Sequence, residues 1–193
     1  MTPFLLSHFT ATSCIGRGLA AHRAALEGTA SGLKRCDFET VRLDTWIGEV
    51  AGVDDARLPA ALAHHDCRNN RLAMLGLEAD GFADAVRAAI GRAGRRRVAV
   101  VLGTSTSGIL QTELAYRRRD PATGALPDDF IYATTHNTYS VAGFTREYFG
   151  LEGPAAAVST ACSSSAKVFA AAARMIQCGL VDAAIVGGVD SLC

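Results

Sequence analysis

The run Val98-Ala-Val-Val-Leu102 is wholly apolar, without the alternation of a half-exposed strand. That pattern predicts a strand buried on both faces, as in a parallel sheet. Two further runs read the same way: residues 155–160, and residues 182–190 with a glycine pair near the exit. Helical periodicity fills the intervals. Leu72, Leu75, Ala79, Phe82, Ala83, Val86 and Ile90 recur at three- and four-residue steps, predicting one long helix over 68–93 closed by Gly91 and Gly94. Residues 138–149 give another helix, ended by Gly150, and 163–179 a third, built mostly of alanine. Small side chains allow very close packing, so this last helix is expected to lie buried between sheets. Nearer the start, residues 4–10 read as a short strand, 18–27 as a helix and 58–65 as a small helix. The stretch 33–55 is irregular apart from a short strand over 46–53. Strands and helices alternate throughout, which is the signature of an α/β fold.

With 193 residues, 49% hydrophobic, the chain can build one sizeable core or two small ones. Lys plus Arg and Asp plus Glu both total 19. Zero net charge supplies no global field toward nucleic acid or membrane, so neither is expected as a partner. No run reaches transmembrane length without polar interruption, and the opening residues lack the pattern of a signal peptide. The six cysteines, at positions 14, 36, 67, 162, 178 and 193, are scattered and form no Cys-x-x-Cys pair. Reduced thiols in a cytoplasmic protein fit that usage. His64, His65 and Cys67 lie close together, but nothing in the sequence completes a ligand set with zinc spacing, so no metal is expected. Arg92, Arg95, Arg96 and Arg97 precede the first buried strand. They read either as a solvated helix end or as a docking patch for an acidic partner. Gly103-Thr-Ser-Thr-Ser-Gly108 lacks the lysine of a phosphate loop and the spacing of a dinucleotide fingerprint. It reads as a tight strand exit leading into a capped helix, and no cofactor is expected.

The candidate chemistry concentrates at Cys162. It sits where the 155–160 strand turns into the alanine-rich helix, followed by three serines. A thiol at a helix N-terminus is favoured as thiolate, the form that attacks thioesters. Nearby N–H groups are expected to stabilise a developing oxyanion. The competing reading is a small buried core residue. Lys167, five residues on, reads as solvated or ion-paired rather than as a base. His136 lies in a Thr-Thr-His-Asn-Thr loop ahead of a helix and reads as a site-loop or a structural histidine. The remaining cysteines read as packing residues.

The segment Ser159-Thr-Ala-Cys-Ser-Ser-Ser-Ala-Lys167 resembles the nucleophile segment of β-ketoacyl-acyl-carrier-protein synthases, the condensing enzymes of fatty-acid and polyketide synthesis. Residues 4–28, 98–108 and 182–191 resemble that family's opening strand and helix, its second core strand with the following loop, and the strand after the nucleophile helix. The ending Gly-Gly-Val-Asp-Ser-Leu-Cys and the Thr-His-Asn-Thr loop are similar to the aryl polyene-type subgroup. The resemblance implies a thiolase-like fold, with a mixed sheet between helical layers and Cys162 at the N-terminus of a central helix. It implies a dimer, homomeric or with a related subunit, joined partly through residues 155–159, with His136 near the active-site entrance. The implied reaction loads an acyl group from a phosphopantetheine-bearing acyl-carrier protein onto Cys162. The enolate of a decarboxylated malonyl-carrier protein then attacks that acyl group, with the Cys162 N–H in the oxyanion hole. Phe130, Ile131, Tyr139 and Phe144 are expected to line the acyl pocket.

The chain departs from the family in length. Family members are roughly twice as long and carry a histidine pair and a lysine in their second half. None of the five histidines here sits in a matching context. Residues 1–193 therefore read as an incomplete N-terminal domain, whose missing half is lost, encoded separately or dispensed with. Its apolar strands are expected to be exposed. A thiolase or a carrier-independent synthase would also carry a cysteine at this place, but the three serines and Lys167 favour the carrier-dependent type. A non-catalytic scaffold in a heterodimer is the rival from another class, and Cys162 itself argues against it.

Overall fold

In the computed structural model, which describes residues 3–39 and 41–193, the three apolar runs form one parallel sheet. Strand β5 (Val98–Gly103) lies in the middle, between β6 (Ala155–Val158) and β7 (Ala183–Gly188). Val100 pairs with Ala155 on one side and Ile185 on the other. All six residues of β5 are buried, as an uninterrupted apolar run in a central parallel strand requires. The α/β class holds. The sheet itself is purely parallel rather than mixed, because each of its strands returns through a helical crossover. The antiparallel pairs are confined to two small ribbons. One joins β1 (Thr12–Ser13) to β2 (Gly16–Arg17), the other β3 (Leu33–Arg35) to β4 (Trp46–Gly48).

Alternate residues of β5 feed two cores. Val98, Val100 and Leu102 join Phe144, Val141, Met74, Leu77 and Val86. These come from α5 (Ser140–Tyr148), α2 (Arg68–Leu77) and α3 (Phe82–Ala93). Ala99 and Val101 join Val168 and Ala172 of α6 (Ser164–Gln177). Only Ser164, Val168 and Ala172 of α6 are buried, and Phe169 is half exposed on its far side. The helix expected between two sheets thus packs on one, because no second sheet lies across from it among the described residues.

The predicted 68–93 helix is two helices. Asp80 and Gly81 both take left-handed backbone, φ 54° and 67°, and break it. The break has a use: the Asp80 carboxylate accepts the Leu19 N–H at 3.0 Å and the Thr10 hydroxyl at 2.8 Å. It thereby caps α1 (Leu19–Glu27), whose own N-cap is Gly18 and offers no side chain. Residues 4–10, expected as a strand, form no ladder, and Leu5, Leu6 and Phe9 stay exposed. An extended segment without a hydrogen-bonded neighbour gains nothing from strand geometry. The 46–53 strand shortens to β4, and the 58–65 helix becomes a 3-10 turn over Ala60–His65. Thr40, in the stretch read as irregular, lies outside the described residues. The helix expected after Gly108 is α4 (Ile109–Arg117). Among the described residues no helix is long and apolar enough to cross a membrane.

Of the arginine cluster, Arg92 lies in the last turn of α3, as the helix-end reading has it, while Arg95, Arg96 and Arg97 are engaged at the strand starts. Arg97 bridges the Asp182 carboxylate (2.5 and 2.9 Å) and the carbonyls of Gly179 and Leu180. Arg96 reaches Glu152 at 2.9 Å, and Arg95 the Gly150 carbonyl at 2.5 Å. These side chains tie together the starts of all three central strands.

Candidate active site

Two glycines decide how close α6 comes to the sheet. A Cβ on Gly103 would stand 2.6–2.8 Å from the backbone of Ser164 and Ser165, and one on Gly188 would collide with the Ser165 side chain. Their absence lets the first turn of α6 sit on the C-terminal ends of β5 and β7. In open parallel sheets, sites gather at that end.

Cys162 occupies the turn from β6 into α6, just before the N-cap residue Ser163, and is exposed. The preceding Ala161 has φ 52°, a left-handed conformation costing a non-glycine residue roughly 1–2 kcal/mol. Ser164, fully buried, holds that turn: its hydroxyl accepts the Thr160 N–H at 2.9 Å and donates to the Ala161 carbonyl at 2.7 Å. The Ser163 hydroxyl donates to the Thr160 carbonyl at 2.9 Å. The amides of Ser163 and Ser164 also turn back, to the Thr160 and Ala161 carbonyls. Those two N–H groups are therefore spent on the turn rather than left to stabilise an oxyanion as expected. The geometry is a strained, side-chain-locked elbow that presents the thiol outward.

Asp190 supplies the neighbouring support, and the sequence reading gave it no role. Its Oδ1 accepts the Ser105 N–H at 2.6 Å, the Thr106 N–H at 3.2 Å and the Thr104 and Thr106 hydroxyls at 3.3 Å. Asn69, fully buried, donates to the Thr104 hydroxyl at 3.4 Å. The 103–108 loop is thus drawn to the end of β7 by a carboxylate that takes the amides of Ser105 and Thr106. The available signal was an acid placed just past a strand-end glycine pair, opposite a hydroxyl-rich loop.

The other expected site residues scatter. His136 is half-buried, with Nδ1 2.5 Å from the Thr112 hydroxyl and its ring stacked on Tyr132 at 5.3 Å. Phe130 is half-buried, while Ile131 and Tyr139 are exposed at 43% and 38%. Phe144 is fully buried in the core, edge-on to His65 with centroids 6.0 Å apart, so in this chain it is a packing residue and not a pocket wall. Lys167 is exposed. Of the cysteines read as packing residues, Cys67 is buried and burial pushes its thiol up to about 11. Cys178 and Cys193 are exposed and do not pack. A cleft of about 610 Å³ has no residue of the Cys162 elbow in its lining. It follows the open edge of β7 between Phe82 and Val86 of α3, Phe169 of α6, and Leu6 and Phe9 of the opening segment.

Residues 76–193 match the family model for the β-ketoacyl synthase N-terminal domain. No curated protein matches the chain. Among solved structures, the chain is 33% identical to the ketosynthase ApeO in complex with its chain length factor ApeC, from Xenorhabdus doucetiae. The likeness covers 96% of this chain and 47% of that one, with a TM-score of 0.74. The ishigamide ketosynthase/chain length factor is 22% identical over 95% of this chain and 51% of its own, with a TM-score of 0.76. A β-ketoacyl synthase from Burkholderia phymatum STM815 is 18% identical over 89% and 43%, with a TM-score of 0.65. At the latter two identities the likeness concerns the fold. The chain spans about half the length of the solved ketosynthases it matches.

Proposed function

The chain belongs to the β-ketoacyl synthase family, and from that premise we propose that it provides the acyl-accepting half of a carbon–carbon condensing acyltransferase. The observation that carries the reading is the exposed Cys162 thiol, held at a strand-to-helix elbow by Ser164 and seated on Gly103 and Gly188. In the loading step, sulfur attacks the carbonyl of an acyl thioester on the phosphopantetheine arm of an acyl-carrier protein. The Cys162–acyl bond forms, the carrier thioester breaks, and the thiol proton ends on the released carrier thiol. The Cys162 N–H is the proposed contribution of this chain to oxyanion stabilisation. In the second step malonyl-carrier protein loses carbon dioxide, and its enolate carbon attacks the acyl carbonyl. That returns the thiolate and releases a β-ketoacyl-carrier protein. Groups that polarise the malonyl thioester belong to a second half, in this chain's continuation or in a partner.

A related subunit is the proposed partner. Two features support this. The outer edge of β6 carries no strand among the described residues, and the ApeO and ishigamide relatives are described with chain length factors. His136, Phe130, Ile131 and Tyr139 are proposed to border the acyl channel only once that assembly forms.

The test is intact mass after incubation with an acyl-carrier-protein thioester, beside Cys162→Ala. One acyl increment on the wild type and none on the variant is the expected result. A folded wild type that stays unmodified, alone and with a ketosynthase partner, would leave the scaffold reading in its place.

A further inference from the structure

Away from the nucleophile elbow, the fold assembles a ligand set that no sequence spacing announces. We propose that His64, His65 and Glu147 bind a divalent first-row cation, zinc foremost, with water as the fourth ligand. This reading is independent of Cys162 chemistry.

His64 and His65 end the 3-10 turn Ala60–His65, and Glu147 lies in the last turn of α5. Adjacent residues of a 3-10 turn point about 120° apart. Here both imidazoles nevertheless converge, with ring centroids 4.4 Å apart. Nε2 of His64 lies 3.2 Å, and Nε2 of His65 3.1 Å, from the same oxygen of Glu147. One ligand atom from each residue fits within 4.8 Å of the others. Bonds of about 2.0–2.1 Å in a tetrahedral zinc site place neighbouring ligand atoms about 3.3 Å apart. Both measured edges are close to that value, and the third lies within 4.8 Å.

The surroundings have the form of a prepared site. Nδ1 of His65 faces the Thr134 carbonyl at 3.4 Å. Its Nε2 and that of His64 converge on one Glu147 oxygen, the arrangement a shared cation would use. A backbone carbonyl on the second nitrogen is the usual way a ligand imidazole is oriented. The backbone is braced as well: the His65 carbonyl accepts from Asn70 at 2.8 Å, and the His64 carbonyl from the Thr134 hydroxyl. His65 is buried, whereas His64 and Glu147 are partly exposed, leaving solvent access for the fourth ligand. Two histidines, one carboxylate and a water are a recognised zinc donor set. Cys67, the nearby thiol in the sequence, takes no part; Glu147, 82 residues beyond His65, completes the set instead.

The experiment uses the full chain stripped with a chelator and titrated with Co²⁺ as a spectroscopic probe. The expected result is one Co²⁺ per chain with the strong visible absorption of four-coordinate cobalt, displaced by one equivalent of Zn²⁺. At a hundredfold excess over Kd the melting temperature should rise by roughly 5–10 °C. His64→Ala and Glu147→Gln should each weaken binding at least tenfold. His136→Ala and Cys162→Ser should leave it unchanged. His64 is 43% exposed, so its replacement probes the site without disturbing the core. A wild type that binds no stoichiometric metal overturns the proposal. So does binding that survives both His64→Ala and Glu147→Gln.

Discussion

The two faces of the central sheet are built for different work. On one, Val98, Val100 and Leu102 meet Phe144, Met74, Leu77 and Leu62 from several helices and the 3-10 turn. On the other, Ala99 and Val101 meet a single helix through Val168 and Ala172. The first face is a thick core of large side chains, where most apolar area is buried. The second is a close contact between small residues, where glycine at 103 and 188 brings the helix start onto the strand ends. Stability is thereby concentrated on one side of β5 and positioning of Cys162 on the other.

Three measurements test that division. The largest expected effect is on the thick face: Phe144→Ala removes a fully buried ring and should cost about 3–5 kcal/mol in denaturant unfolding. The acylation rate of the folded fraction should change little. A loss below about 1 kcal/mol would break the assignment of that face as the main core. Gly188→Ala should invert the pattern. Its new Cβ would meet the Ser165 side chain, so the start of α6 must shift. Overpacking of this kind costs about 1–3 kcal/mol. Cys162 acylation should fall by more than its share of lost folded protein, and an unchanged rate would sever the seat from the nucleophile. The smallest effect concerns the strand starts. Hydrogen bonding to Arg97 holds the Asp182 carboxyl below its ordinary 3.8. A group depressed on folding contributes fully above its unfolded pKa and loses that contribution as pH falls through the lower folded value. Wild-type urea midpoints should therefore drop between pH 5 and pH 3 slightly more than those of Asp182→Asn. The difference is small because the pair is solvent-exposed.

Much of the core was legible along the chain because its signals are local. An apolar run such as 98–102 has one good solution in water, a strand covered on both faces. The alanine-rich stretch from Ser164 onward packs closely wherever a sheet supplies a surface. The elbow at Cys162 was legible as a strand-to-helix junction. The locking role of Ser164 was not, since it depends on the left-handed backbone at Ala161. Residues 4–10 misled because an apolar stretch alone does not make a strand; a paired edge does. The long helix over 68–93 misled because an apolar stripe runs through Asp80-Gly81 in sequence while the backbone there turns left-handed in space.

Residue order by itself determined the α/β class, the three strands of the parallel sheet, the cysteine at a strand-to-helix junction and the family. Each of these is carried by periodicity or by a contiguous motif. Tertiary structure alone decided that Phe144 fills the core, that Asp190 ties down the loop after β5, and that Glu147 meets His64 and His65. These contacts join groups some 60–90 positions apart, and no local pattern encodes a distance that the packing of helices on a sheet creates.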